Sequence, residues 1–306
     1  MYSLAYLSSY SWTNGLALFR IHELLTLVVV ASICFHIIAT MNFNVMHAPK
    51  AFNTLEIASI SLANNTDFSY PMRVRGSICW PKQLLTCIEA KSNSSLSKKF
   101  IKEDSKLTAC CSALWDPSSA PYQTIDGDDL VYYGLVLPAV MLAARVFCWW
   151  VASFRLSSSA MLPMLNARFW LFLLWESLLS LVFASTYQTL LMEFVKASVG
   201  APRPIFHALN IWASVGMDRA HWKHEAHRSF PSGHSATAAS GLGIVMVLLL
   251  RDALFLLDAH QLAAKAIAHL AVIPFAVTVY VGISRIRDYW HFPVDVTGEM
   301  LHSLLR

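Results

Sequence analysis

Three short stretches of this sequence hold side chains whose types and spacing suit the binding and cleavage of a phosphate ester. Each stretch lies at the edge of a long apolar run. Together they supply three cations, a Gly turn, two histidines and one carboxylate. The candidate residues are Lys196, Arg203, Ser232, Gly233, His234, Arg285, His291 and Asp295.

In the first stretch Lys196 ends an apolar run, and Arg203-Pro204 follows seven residues later. If the segment is helical, the two cations are two turns apart and share one side, which suits a dianion. A lone Lys at a membrane helix end also commonly snorkels to the lipid headgroups, and this alternative stays open.

The second stretch, Pro231-Ser232-Gly233-His234, opens the next apolar run. Ser232 is a favourable N-cap residue, and Gly233 permits close approach of a ligand to the backbone. Free N–H groups at a helix start form an anion site. A capped helix with an interfacial His is the alternative, but it gives no reason for His234.

In the third stretch Arg285 follows an apolar run, and His291 and Asp295 are four residues apart. On a helix these two would share a face. A carboxylate bonded to one imidazole nitrogen leaves the other nitrogen free to attack phosphorus. A purely structural His–Asp pair is the alternative. We expect Tyr289 and Trp290 to lie in the interfacial aromatic belt.

Taken together and in this order, the three patterns resemble the type 2 phosphatidic acid phosphatase superfamily. The segment Ser284–Asp295, with its Asp-Tyr-Trp-His core, is similar to the lipid phosphate phosphatase branch, as are Arg75-Gly76 with Cys79 and Thr124-Ile125. The resemblance covers roughly residues 17–306.

The resemblance implies a role for each candidate residue. His291 would be the nucleophile that forms phosphohistidine, with Asp295 as its orienting partner and His234 as general acid. The implied phosphate cradle is Lys196, Arg203, Ser232, Gly233 and Arg285. The family needs no metal, so no metal or other cofactor is expected.

Composition predicts a multi-pass membrane protein. The chain has 306 residues, of which 56% are hydrophobic and 14% charged, against about 25% charged in soluble domains. A helix needs roughly 20 apolar residues to cross a bilayer. Such runs lie at about 22–42, 130–153, 168–192, 235–257 and 266–283. These runs predict an all-α membrane bundle with five full helices. The resemblance implies a sixth helix, truncated in this sequence, and a single membrane-embedded phosphatase domain over 1–306.

The long polar segment 43–129 carries the sequons at Asn64 and Asn93 and four of the six cysteines. We expect a glycosylated lumenal or extracellular loop with disulfides; three pairings are open, with Cys110–Cys111 the least favoured. A cytosolic loop with free thiols is the alternative. In either orientation the three motifs face the same side of the membrane.

Charged and thiol residues outside the motifs have simpler expected roles. Glu176, Glu193 and Arg145 should make polar contacts between helices. Cys34 and Cys148 should be buried, inert thiols. The loop histidines, which are His221, His224 and His227, invite a zinc site, but without a second ligand pair we favour a solvated loop.

The expected function is metal-independent hydrolysis of lipid phosphomonoesters, such as phosphatidate, lysophosphatidate or sphingoid-base phosphates, through phosphohistidine. The net charge of +4 comes without a basic stripe interleaved with aromatics, so nucleic-acid binding is not expected. Only eleven residues follow Asp295, so a catalytically impaired, lipid-phosphate-binding homologue is the alternative. Phosphotransfer to another lipid and action on pyrophosphate lipids also stay open. Vanadate-dependent haloperoxidases share such a site, but they are soluble.

Overall fold

The structure is a computed structural model that describes residues 70–74, 77–92, 105–116, 120–156, 167–215, 220–258 and 260–304. Several sequence predictions concern residues outside these ranges. They are the first apolar run (22–42), Cys34, both sequons and Arg75-Gly76.

Two short strands and two helices form a disulfide-linked cap within the polar segment. Strands β1 (Met72–Val74) and β2 (Ser77–Cys79) pair antiparallel, and helices α1 (Pro81–Ser92) and α2 (Ser105–Trp115) follow. Disulfides join Cys79 to Cys110 and Cys87 to Cys111. The adjacent cysteines therefore do not bond each other, as expected. Disulfides are typical of oxidising compartments, which favours the lumenal or extracellular interpretation of this segment.

Helices form the rest of the described structure. In chain order they are α3 (Gly127–Val131), a π-helical turn (Tyr132–Val136), α4 (Leu137–Leu156), α5 (Ala167–Val199), α6 (Phe206–Val215), α7 (Ala220–Ala226), α8 (Gly233–Leu256), α9 (Gln261–Leu270), α10 (Val272–Arg287) and α11 (Pro293–Leu304). Among the residues that the structure describes, four segments are long and apolar enough to cross a membrane: Gly127–Ser153, Phe169–Val199, Gly233–Leu256 and Gln261–Arg287. The all-α membrane fold is confirmed.

The helices extend beyond the apolar runs that predicted them. The run 168–192 belongs to α5, which continues to Val199, and the run 266–283 belongs to a helical segment that begins at Gln261. Backbone hydrogen bonds continue through the polar residues at a helix end, whereas hydropathy registers only the apolar part.

Helix α8 is the centre of the bundle and packs against α4, α5, α10 and α11. Small residues allow this. A Cβ at Gly241 would collide with the backbone carbonyl of Gly134 in the π-helical turn. The two backbones therefore touch, as small residues permit between membrane helices. One end of this central helix carries His234, and the other carries Asp252.

Two predictions about residues inside the bundle have different outcomes. Arg145 makes the expected contact between helices, since its Nε and Nη2 donate to Asp252 of α8 at 2.6 and 2.7 Å. Cys148 was expected to be buried, but it is exposed on the surface of α4. An apolar sequence environment does not distinguish a core-facing position from a lipid-facing one, which is why this prediction was wrong.

The cap contacts the end of the bundle that carries the motifs. Its buried residues share one apolar cluster with α6 and with Trp290. Asp288, directly after α10, accepts hydrogen bonds from the backbone N–H and the hydroxyl of Thr124 at 2.6 and 2.9 Å. The segment that leads into α3 is thereby fixed to the third motif.

Candidate active site

The structure brings the three motifs together where helix ends meet. Lys196 lies in the last turn of α5, His234 lies in the first turn of α8, and Arg285 lies in the last turn of α10. His291 and Asp295 lie on either side of the start of α11. Side chains at helix ends are well placed to combine with the free backbone groups of a neighbouring helix.

His291 is 3% exposed and has a defined tautomer. Its Nδ1 is 2.7 Å from the carbonyl oxygen of Ser229. Because a carbonyl only accepts, Nδ1 carries the proton and donates. Its Nε2 is 3.2 Å from Nη1 of Arg203, which only donates. The lone pair of Nε2 therefore faces the guanidinium group of Arg203, one of the cations expected to bind the phosphate.

Burial lowers the pKa of His291 well below its ordinary value of 6.5, and the nearby cations Arg203, Arg285 and Lys196 lower it further. The imidazole is consequently neutral at physiological pH. A neutral imidazole with an unprotonated Nε2 has the form required of a nucleophile.

Asp295 does not bond the imidazole directly, contrary to the expectation from its spacing. Its Oδ2 is 3.9 Å from Nδ1 of His291, beyond hydrogen-bond range. The same oxygen accepts from the hydroxyl of Ser229 at 2.5 Å and from the backbone N–H of Phe292 at 2.8 Å. Helix α11 begins only at Pro293, so His291 and Asp295 do not share a helical face.

Ser229 is therefore a positioning residue that the sequence analysis missed. Its hydroxyl donates to Asp295 while its carbonyl accepts from His291. It lies two residues before Pro231, and a serine at this position does not by itself indicate such a role. A backbone carbonyl is present at every position, so such a role is visible only in three dimensions.

Arg203 is held by α7 and by the third motif. Its Nη2 donates to Oε2 of Glu225 at 2.7 Å and its Nε donates to the Glu225 carbonyl at 2.6 Å, while Nη1 donates to the Trp290 carbonyl at 3.2 Å. Burial alone would raise the pKa of Glu225, but Arg203, Lys196 and Arg228 hold that pKa below its ordinary value. Glu225, also missed, thus stays ionised beside Arg203.

Lys196 and Arg203 approach each other through a turn, not along a shared helix. Helix α5 ends at Val199, and Gly200 adopts a positive φ of 60°, which glycine permits. The expectation of one helical side was wrong because the helix stops between the two cations. Lys196 Nζ is 3.6 Å from Oε1 of Glu193, whose Oε2 also pairs with Arg228.

Gly233 makes room for the Lys196 ammonium group. A Cβ at this position would lie 2.9 Å from Lys196 Nζ and 2.9 Å from Met192 Sδ. Ser232 occupies the N-cap position with extended backbone, but its side chain makes no capping hydrogen bond. Its hydroxyl instead accepts from Ser235 at 3.0 Å. The α8 N-terminus therefore presents backbone donors beside a cation.

Two buried polar atoms at this site have no hydrogen-bond partner among the described residues. They are Nε of Arg285 and Nε2 of His234. The other donors of Arg285 bind the Ile125 carbonyl and Oε1 of Gln123, both at 2.9 Å. The His234 ring also bonds the Asp126 backbone. Unsatisfied buried polar atoms cost roughly 1–3 kcal/mol each, so a bound anion with a leaving-group oxygen would offset both.

Trp290 lies with its ring close to both arginines of the site. Its ring lies 4.9 Å from Cζ of Arg203 and 5.5 Å from Cζ of Arg285, and its indole N–H donates to the Tyr122 carbonyl at 3.0 Å. The expectation of an interfacial belt residue was wrong, because Trp290 is 2% exposed. An aromatic ring within about 6 Å of a cation attracts it electrostatically, so Trp290 helps to hold both arginines in place.

Residues 177–303 match the profile of the PAP2 superfamily. The match covers less than half of the chain. All eight candidate residues lie within it.

Proteins similar to this chain include plant and bacterial ones. The chain is 32% identical over 143 residues to lipid phosphate phosphatase 2 of Arabidopsis thaliana, covering 42% of this chain and 47% of that protein. It is 34% identical over 124 residues to phosphatidylglycerophosphatase B of Bacillus subtilis strain 168, covering 40% and 56%.

A fission-yeast relative is also similar. This is the probable diacylglycerol pyrophosphate phosphatase 1 of Schizosaccharomyces pombe, 28% identical over 137 residues and covering 40% of this chain and 48% of that protein. The chain spans about half the length of the curated relatives it matches. No solved structure matches it significantly.

Proposed function

We propose that this protein is a phosphatidate phosphatase-type hydrolase that cleaves lipid phosphomonoesters through a phosphohistidine at His291. The observation that carries the proposal is the pair of unsatisfied atoms, Nε of Arg285 and Nε2 of His234, together with the unprotonated Nε2 of His291, which contacts Nη1 of Arg203. A bound phosphate ester would place one oxygen at Nε of Arg285, a second oxygen at Nε2 of His234, and its phosphorus atom at Nε2 of His291. The names of the relatives support the lipid phosphatase class.

In the first step Nε2 of His291 attacks phosphorus, the P–N bond forms and the P–O bond to the lipid alcohol breaks. His234, protonated on Nε2, gives its proton to the departing alkoxide. The three cations Lys196, Arg203 and Arg285 stabilise charge on the transferring oxygens, together with the backbone N–H groups at Gly233. The Ser229 carbonyl, held through Asp295, keeps the imidazole in the reactive tautomer.

In the second step a water molecule attacks phosphorus and the P–N bond breaks. His234, now neutral, accepts a proton from that water, so inorganic phosphate leaves and both histidines return to their starting states. We propose a reaction that needs no metal, because the cationic side chains already supply the charge a divalent ion would bring. They would also repel such an ion.

A lipid substrate suits the location of the site. The candidate residues lie at the ends of membrane-crossing segments, where a lipid phosphate would reach them while its acyl chains stay in the bilayer. The disulfide-linked cap packs on the same end of the bundle, since it shares a cluster with Trp290. We therefore place the site on the lumenal or extracellular side.

A pyrophosphate lipid is a second candidate substrate, favoured by the relative named as a probable diacylglycerol pyrophosphate phosphatase. Its terminal phosphate could occupy the same cradle. Product analysis by mass spectrometry separates the two, because a pyrophosphate lipid would yield phosphatidate and phosphate, and a monoester would yield the free alcohol and phosphate.

The test is phosphate release from short-chain phosphatidate by the detergent-purified full chain in the presence of EDTA. We expect release by the native protein and by a His224→Ala control, which removes an exposed histidine of α7, and none by His291→Ala. No release from any lipid phosphate would refute the proposal and favour a non-catalytic binding role. Equal release by His291→Ala would refute the assignment of the nucleophile.

A further inference from the structure

A large apolar cavity lies at the opposite end of α8 from the candidate active site. Its volume is about 850 Å³, and residues of α4, α8, α9 and α10 line it. Asp252, in its wall, follows Gly233 by 19 residues, or roughly 28 Å along the helix axis. This distance is close to the hydrocarbon thickness of a bilayer, so the cavity is distinct from the active site.

The cavity wall contains one charged pair, Arg145 and Asp252. Both are buried, at 7% and 5% exposure. Both oxygens of Asp252 are engaged: Oδ1 accepts from Nη2 of Arg145, and Oδ2 accepts from Nε of Arg145 and from the indole N–H of Trp149 at 2.8 Å. The two opposite charges of this pair therefore balance, and both oxygens of the Asp252 carboxylate have hydrogen-bond donors.

Arg145 retains one donor that this pairing does not use. Its Nη1 is buried and has no hydrogen-bond partner within the part of the chain that the structure describes. A simple clamp between α4 and α8 would not need this third donor. A charged donor left unsatisfied in a membrane interior is costly, so an acceptor that enters the cavity would be stabilised there.

We propose that this cavity binds a neutral lipid whose uncharged oxygen, an ester carbonyl or hydroxyl, accepts from Nη1 of Arg145. Most of the lining is apolar, for example Met141, Leu249 and Ile267, and the volume is in the range of small-molecule sites. The ligand is neutral because Asp252 already balances Arg145, so an anionic headgroup would bring an uncompensated buried charge. A glyceride has this chemistry.

The experiment uses a diacylglycerol with a diazirine on one acyl chain, incorporated with the full-length protein into phosphatidylcholine nanodiscs. After irradiation, labelled peptides are identified by mass spectrometry. We expect label on the segments of α4 and α8 that line the cavity, and competition by unlabelled dioctanoylglycerol but not by oleate.

Two variants and their matched controls test the polar contact and the cavity separately. Arg145→Lys keeps the charge opposite Asp252 but removes the spare guanidinium donor, and should reduce labelling about tenfold. Ala152→Trp fills the cavity without altering the ion pair, and should abolish labelling. The controls Arg251→Lys and Val247→Trp change exposed residues of α8 outside the lining and should label as the native protein does.

Three results would overturn the proposal. Equal labelling of all variants would show ordinary lipid contact with the protein surface. Absence of label from the cavity of the native protein would show that another occupant, such as a part of this chain, fills it. Stronger competition by oleate would show an anionic ligand. None of these readouts needs turnover, so the same measurement on His291→Ala keeps this inference separate from the proposed phosphatase activity.

Discussion

Replacing Ser229 with Ala tests how the nucleophile is oriented. The substitution removes the hydroxyl that donates to Asp295 at 2.5 Å but leaves the carbonyl that accepts from His291. Asp295 would keep the Phe292 N–H as a donor. The carbonyl would lose the connection that fixes its position, and the imidazole would sample unproductive orientations.

The size of this effect follows from the type of hydrogen bond. A hydrogen bond to a charged group contributes roughly 1.5–3 kcal/mol, and 1.4 kcal/mol corresponds to a factor of ten. We therefore expect kcat for phosphatidate to fall by about 10- to 100-fold. KM should change little, because the three cations proposed to bind the phosphate are untouched.

The assay is steady-state phosphate release, with the unfolding temperature measured in parallel. The matched control is Ser240→Ala, which removes a buried hydroxyl that bonds only a carbonyl of its own helix, on Thr237. That variant should keep native kcat. If Ser229→Ala also keeps native kcat while folding normally, Asp295 does not act through Ser229, and the direct His–Asp interaction expected from sequence would be the better account.

Four further predictions concern the candidate phosphate cradle and His291. Trp290→Leu should lower kcat/KM about tenfold, and Trp290→Phe less, because the ring face attracts both arginines; equal loss in both variants would contradict this. Gly233→Ala should displace the Lys196 ammonium group and raise KM in phosphate-release assays without unfolding the protein; an unchanged KM would contradict it. In pH profiles of kcat/KM, the acid limb should lie below pH 6.5, because the pKa of His291 is lowered by burial and nearby cations; a limb at or above this pH would exclude His291 as its source. Folding stability should fall in denaturant titrations as pH drops below 6.5, since the unfolded chain then gains a proton that the folded chain does not; stability independent of pH in that window would refute the assignment.

Within the described residues, the sequence predicted the membrane-crossing segments and the common side on which their motif-bearing ends meet, but not the short helices α1, α2, α6 and α7. Long apolar runs are a strong signal because a bilayer requires about 20 such residues. The motif residues were also recognisable from the sequence. The roles expected of Arg285 and His291 depend on their side chains, which the residue type specifies. Local hydrogen bonding decided where the helices end, and this separated Lys196 from the Arg203 segment.

The parts that could not be predicted depend on backbone groups and on long-range packing. His291 is oriented by a carbonyl of Ser229, and any residue could supply a carbonyl. The sequence suggested an interfacial aromatic at Trp290, but the fold buries this side chain close to two arginines. Glu225 reaches Arg203 from 22 positions away through α7, a contact that no local pattern encodes.

Trapping of a phosphoenzyme tests the central claim most directly. The full chain is incubated briefly with phosphatidate carrying a labelled phosphate group and denatured in alkali, which preserves phosphohistidine. The labelled peptide is then sequenced by mass spectrometry. We predict label on His291 in the native protein and in His224→Ala, and none on His291→Ala. Label on any other residue, or equal labelling of His291→Ala, would contradict the proposed chemistry.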